Sequence, residues 1–167
     1  AASEFFENGK YWLGERAFSP RELGEYYAGL CKRFPIYSIE DGFAEEDWSG
    51  WREFTERFGG KLQIVGDDLL VTNTKRILKA IELKACNSLL LKVNQIGTLT
   101  ESFEAARLAF KNKWSVIISH RSGETCDSFI SDLAVGIGAT QCKFGAVARS
   151  ERTEKYNRLL EIEALLK

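Results

Sequence analysis

Five ionisable residues recur at nearly even spacing along the 167-residue chain: Glu40, Asp67, Lys92, His120 and Lys143, with steps of 27, 25, 28 and 23 residues. Each is the first strongly polar residue after a short apolar run. Two carboxylates brought together repel one another, so Glu40 and Asp67 are costly as a pair unless a cation lies between them. Oxygen donors in a chain with one histidine favour a hard ion, Mg2+ before Zn2+. Taken singly, each acid would equally well cap the next helix or pair with an arginine. Lys92 leaves the run Leu89-Leu90-Leu91. An amine withdrawn from water holds its proton less tightly, more so beside other cations, and such a lysine can act as a base. The ordinary alternative, a surface lysine at a strand edge, fits poorly because Val93 and Ile96 continue the apolar context. His120-Arg121-Ser122-Gly123-Glu124 reads as a strand running into a helix. There a helix N-terminus, the Ser122 hydroxyl and the Arg121 guanidinium would hold a phosphate or carboxylate. Simple Ser-x-x-Thr capping would also explain Ser122. Lys143 is a second strand-end lysine, placed to flank a substrate carboxylate together with Lys92. No G-x-S-x-G elbow surrounds any serine, which argues against a serine hydrolase. Acids that hold a metal, an anion clamp and a lysine base suit proton removal next to a carboxylate.

Such a constellation needs elements to carry it. Ser19-Pro20-Arg21-Glu22 predicts a capped helix start running to about Lys32, and Thr98-x-x-Glu101 predicts another, with Phe103, Ala106 and Phe110 on one face. Trp48, Trp51, Phe54, Thr55 and Phe58 keep helical spacing, as do Ile77, Ala80, Ile81 and Lys84; a last helix runs from about Ser150 through Tyr156, Leu159 and Leu160. Between them lie five apolar runs too short for helices: Pro35 to Ile39, Leu62 to Val65, Ser88 to Leu91, Ser115 to Ile118 and Ala139 to Cys142. Continuous hydrophobicity in strands that alternate with helices predicts an α/β fold with a parallel sheet. An open doubly wound sheet would show a glycine turn after its first strand, whereas the only G-x-G, Gly136-Ile-Gly138, precedes a strand. The expected fold is therefore a partial TIM-type (β/α)8 barrel of about five parallel strands, because a complete barrel takes about 250 residues and eight units. In that fold the carboxyl ends of the strands converge on one mouth, so the five residues would meet.

Composition narrows the class. The chain is 44% hydrophobic and 28% charged, the proportions of an ordinary globular domain. Its 23 basic and 24 acidic residues leave a net charge of −1 with no block of like charge, against a nucleic-acid partner. No run of ~18 apolar residues is present to span a bilayer. Cys31, Cys86, Cys126 and Cys142 contain no C-x-x-C pair, so reduced thiols in a cytoplasmic protein are expected. The chain has no methionine and opens AASEFFENGK, which predicts that an amino-terminal part lies upstream.

Leu91-Lys92-Val93-Asn94-Gln95-Ile96-Gly97-Thr98, Ser119-His120-Arg121-Ser122-Gly123-Glu124-Thr125 and Ala148-Arg149-Ser150-Glu151-Arg152 closely resemble the signatures of enolase, phosphopyruvate hydratase. Ser38-Ile39-Glu40-Asp41 and Asp67-Asp68-Leu69 do so too. A lysine or histidine base working with one or two Mg2+ ions is the established pattern of that superfamily. The resemblance covers essentially the whole chain and implies that residues 1–167 form an incomplete carboxyl-terminal enolase barrel domain, without the amino-terminal domain and first barrel strands. It implies a homodimeric, Mg2+-dependent lyase of glycolysis that interconverts 2-phosphoglycerate and phosphoenolpyruvate plus water. Glu40 and Asp67 would be two of three carboxylate ligands to Mg2+, and Lys92 would take the proton from C2. Lys143 would hold the substrate carboxylate, His120 would lie near the leaving hydroxyl, and Arg121 with Ser122 would meet the phosphate.

By the same resemblance the third carboxylate ligand precedes Ala1, and the general-acid glutamate and mobile loops also lie outside these residues, so the fragment alone is expected to be inactive. Gly42, Phe144 and Val147 depart from the family pattern, and Phe144, beside Lys143, would crowd the site. A binding role is the alternative: enolases also serve as plasminogen receptors through carboxyl-terminal lysines, and this chain ends in Lys167. A racemase-like superfamily member is disfavoured by the order of motifs and the His120 to Thr125 clamp.

Overall fold

The computed structural model describes residues 1–167. After a single 3-10 turn, the chain forms an antiparallel meander of β1 (Phe6–Glu7), β2 (Lys10–Leu13) and β3 (Arg16–Phe18). The sequence reading did not anticipate it. Its first hairpin closes on Asn8-Gly9, both at positive φ (52° and 77°), the backbone of a two-residue turn that suits the twist of the flanking strands. The meander is anchored by Tyr11, fully buried, whose hydroxyl donates to Asp47 at 2.7 Å and accepts the Ala44 N–H at 2.9 Å.

The remainder alternates strand and helix: α1 (Pro20–Arg33), β4 (Ser38–Glu40), α2 (Trp48–Phe58), β5 (Gln63–Gly66), α3 (Thr74–Leu83), β6 (Ser88–Leu91), the single-turn α4 (Val93–Ile96), α5 (Leu99–Lys111), β7 (Ser115–Ser119), α6 (Phe129–Gly136), β8 (Gln141–Lys143) and α7 (Ser150–Leu165). The Ser19 capping box forms in full, and at Thr98 the N-cap half of the expected box forms. The Ser19 hydroxyl accepts the Glu22 N–H, with the Glu22 carboxylate returning to the Ser19 N–H, and Thr98 accepts the Glu101 N–H. The strands pair in parallel in the order β4-β5-β6-β7-β8, so the expected partial barrel is the fold. The first strand starts at Ser38, after Pro35 has kept its own nitrogen out of any ladder, and the last ends at Lys143, one residue beyond the predicted run.

Because side chains alternate across a strand, each strand feeds two different environments. Ile64, Leu89, Leu91, Val116 and Ile118 face the helices and join one large core with Trp51, Phe54, Ile77, Ala105 and Leu133. The intervening Val65, Leu90 and Ile117 form a separate small cluster on the concave side. Below it, at the amino ends of the strands, Gln63 donates to Ser115, at 2.9 Å, and to Gln141. Above it, at the carboxyl ends, stand the charged residues. The concave face is thus layered polar, apolar, charged.

Candidate active site

All five residues of the repeat stand at carboxyl ends of strands. Glu40 and Lys143 close β4 and β8, while Asp67, Lys92 and His120 follow β5, β6 and β7 directly. Lys92 Nζ donates to Asp67 Oδ2 at 2.5 Å, with side chains only 13% and 10% exposed. Lys143 Nζ donates to Glu40 Oε1 at 2.6 Å in a more open setting. Neither acid pairs with an arginine or caps a helix. The second pair joins the two edge strands of the sheet. Four inter-strand steps of about 4.8 Å would hold those edges roughly 19 Å apart in a flat sheet, beyond the reach of one lysine and one glutamate. The contact therefore requires the sheet to curl, and the curl makes the mouth.

Several residues unmarked by the spacing hold the mouth in shape. Asp41, 5% exposed and at φ 45°, accepts the Asp67 N–H and the Asp68 N–H, each at 2.9 Å. Burial pushes its carboxyl up to about 6, a rise that those two backbone donors partly offset. The Thr72 hydroxyl, fully buried, accepts the Lys92 N–H at 3.0 Å. Thr72 and Val71 sit at φ 55° and 42°, a left-handed backbone that costs β-branched residues energy and marks a tightly determined turn beside the site. The signal for Asp41 was its place after Glu40 in the Glu-Asp pair; for Thr72 the sequence offered none.

One carboxylate oxygen from each of Asp41, Asp67 and Asp68 lies within 4.8 Å of the other two. Both Asp41 oxygens already accept N–H groups. Asp67 Oδ1, in contrast, is buried with no hydrogen-bond partner. An orphaned carboxylate oxygen in an all-oxygen cluster suits a hard divalent cation. Glu40, expected to share that ion, lies outside this cluster and is engaged by Lys143.

The His120 segment differs from its expected form. Residues 120–128 are irregular and the next helix begins at Phe129, so no helix N-terminus backs Arg121 or Ser122. Side chains take the backbone donors that a helix would have needed: Arg121 N–H goes to Glu124 Oε1 at 2.7 Å, Asp127 N–H to Thr125, and Phe129 N–H to Asp127. Such local bonds compete with helix formation. The Arg121 guanidinium donates to Asn94 Oδ1 at 3.1 Å, and Ser122 is exposed. His120 Nδ1 is buried without a partner, and burial, followed by Arg152, Lys155 and Lys143 against an opposing Glu124, holds the imidazole below its ordinary pKa. Gly145, at φ 83°, makes this packing possible. A Cβ there would lie 2.7 Å from Arg152 Cδ and 2.9 Å from His120 Cε1.

Phe144 does not crowd the mouth. It is fully buried in the main core, its ring edge-on to Tyr156 at 5.9 Å, because strand alternation turns it away from Lys143. Val147 is 79% exposed, and the Gly42 carbonyl accepts the Tyr27 hydroxyl. Lys167 pairs with Glu163 at 2.8 Å at the exposed end of α7, and all four cysteines are free thiols.

Comparison with known families matches residues 1–167 to the family described as enolase, C-terminal TIM barrel domain. The chain belongs to that enolase family. Membership agrees with the barrel-type sheet and with a parent of the lyase class acting on a small molecule. No helix of this enolase domain is long and apolar enough to cross a membrane.

Proposed function

We propose that this enolase barrel serves the interconversion of 2-phosphoglycerate and phosphoenolpyruvate plus water, in a cytoplasmic, homodimeric glycolytic parent. The observation that carries the reading is the nearly buried Lys92 amine held against Asp67 at the carboxyl end of the sheet, in a chain matched over its whole length to the enolase family. Lys92 is the base at substrate C2. Its stem rises from the apolar layer of Leu90, its backbone is fixed by Thr72, and its amine is aimed into the mouth rather than into solvent. Lys143 binds the substrate carboxylate, supplying a cation from the opposite rim. Arg121 and Ser122 bind the phosphate, and the His120 imidazole hydrogen-bonds the leaving hydroxyl. Asp67 would hold Mg2+ through its unpartnered Oδ1, and Glu40 would join it only on release from Lys143. When bound, the ion supplies positive charge against the substrate carboxylate as it gains a second negative charge.

The test is Mg2+-dependent formation of phosphoenolpyruvate by the full-length protein that contains this chain, followed with solvent exchange of the C2 proton. Lys92→Ala is expected to lower both by about 10²–10⁴-fold, the usual contribution of a positioned base. Exchange that persists at the wild-type rate in a folded Lys92→Ala protein overturns the assignment.

A further inference from the structure

We propose that Lys155, on α7, is a positioning residue that acts through Glu124 to set the His120–Ser122 segment for anion binding. The proposal rests on the reading of that segment as the phosphate-holding part of the site. Lys155 is fully buried, an uncommon state for a lysine, which normally keeps its ammonium in water. Its ammonium donates to the Glu151 carbonyl at 2.7 Å and the Thr125 carbonyl at 2.9 Å, and forms an ion pair with Glu124 Oε2 at 3.0 Å. The other Glu124 oxygen accepts the Arg121 N–H at 2.7 Å. One carboxylate thereby connects a buried ammonium to the backbone of Arg121, whose guanidinium reaches Asn94 just beyond Lys92.

The location gives the linkage its purpose. Beyond the His120 N–H, which donates to the Lys143 carbonyl at 2.9 Å, the backbone of residues 121–127 makes no helix or strand hydrogen bonds to define its path, yet residues 120–122 carry three of the expected substrate contacts. Lys155 supplies a fixed point from a neighbouring helix, and its own carbonyl accepts the hydroxyl of buried Ser131 on α6 at 2.8 Å, which locks the fixed point in turn. A buried ion pair is a poor source of net stability but a good source of geometric definition, since a displaced ammonium would be left unpaired. Arg121 and Ser122 can grip an anion only if their backbone is already placed, so the pair acts by preorganisation.

The chain has a single histidine, so the imidazole C–H signals of His120 report on this segment without overlap. Inorganic phosphate is titrated against the wild type, Lys155→Met, Glu124→Gln and the double variant, below the thermal transition of each as measured by circular dichroism. Wild type is expected to give a saturable shift. Each single variant should need about tenfold more phosphate, the loss of roughly one charge-assisted contact, and the double variant should be no worse than either single one because both residues act through the same link. If Lys155→Met does not fold, Glu124→Gln, which can accept at one end only, carries the comparison. Wild-type affinity in a folded variant, with only a lowered thermal midpoint, overturns the positioning role and leaves the proposed function standing. A wild type that shows no phosphate shift removes the anion-holding reading of the segment and this inference with it.

Discussion

Tyr27 and Tyr11 show how single residues tie the barrel's periphery to the site. The Tyr27 hydroxyl donates to the Gly42 carbonyl at 2.9 Å, one residue after Asp41, and burial pushes its pKa up to about 12. Tyr11 is raised further in the same direction, by burial and then by its bond to Asp47. A phenol whose folded pKa lies above its unfolded value of about 10 contributes stability that is intact below pH 10 and lost as pH rises toward the folded value. Unfolding free energy from urea titrations is therefore expected to fall between pH 10 and 12, with about 2 kcal/mol of the loss from Tyr27. Tyr27→Phe should cost about 1 kcal/mol at pH 8 through its lost hydrogen bond, yet decline less steeply above pH 10. An equally steep alkaline decline would show that Tyr27 does not govern it. At this scale the strand-end positions of Lys92, Asp67, Lys143 and Glu40 were legible, because each is the first strongly polar residue after an apolar run. Thr72 and Lys155 were not. Their work is to accept or donate bonds to backbone atoms that become neighbours only when distant loops meet, and Lys155 looks like any surface lysine on a helix.

At the scale of elements, sequence and structure agree where the deciding interaction is local. The capping box at Ser19 and the N-cap at Thr98 fix two helix starts to the residue, since both partners lie within four positions. The misread segment is 120–128, where Glu124 and Asp127 satisfy the N–H groups of Arg121 and Phe129 and so remove the need for a helical turn. The amino-terminal meander was missed although Asn8-Gly9 is a strong hairpin signal, because its strands are only two to four residues long and show no extended alternation. Gly9 at φ 77° makes the turn testable. Gly9→Val should cost about 1–2 kcal/mol, the expense of a branched side chain in the left-handed region, read as a lowered urea midpoint. A midpoint unchanged by this substitution would mean that the meander contributes nothing to the cooperative unit, contrary to the full burial of Tyr11 within it.

Across the whole molecule, the curled five-stranded sheet has a protected middle and two free edges, and that asymmetry must appear in its dynamics. β6 is central, buried along its entire length and paired on both sides, whereas β4 and β8 each have one partner and are largely exposed. The barrel-like fold was legible from five apolar runs at a regular step, but the degree of curl was not, because it depends on the accumulated twist of all strands at once. The Glu40–Lys143 contact reports the curl, and being partly exposed it is too weak to enforce it, an exposed pair contributing about 0–1 kcal/mol. The curl is instead held by the packing of Val65, Leu90 and Ile117 on the concave side and by Gln63, which reaches Ser115 and Gln141 across two strands. Amide hydrogen exchange under native conditions should therefore require global unfolding for Leu89, Leu90 and Leu91, whereas the amides of β4 and β8 exchange through smaller openings, faster by at least about tenfold. Removing the rim contact with Lys143→Met should leave the β6 rates unchanged, since the layers beneath keep the edges together. Collapse of β6 protection in that variant would show that the mouth's ion pair, rather than the layers below it, maintains the half-closed sheet on which Glu40, Asp67, Lys92 and Lys143 converge.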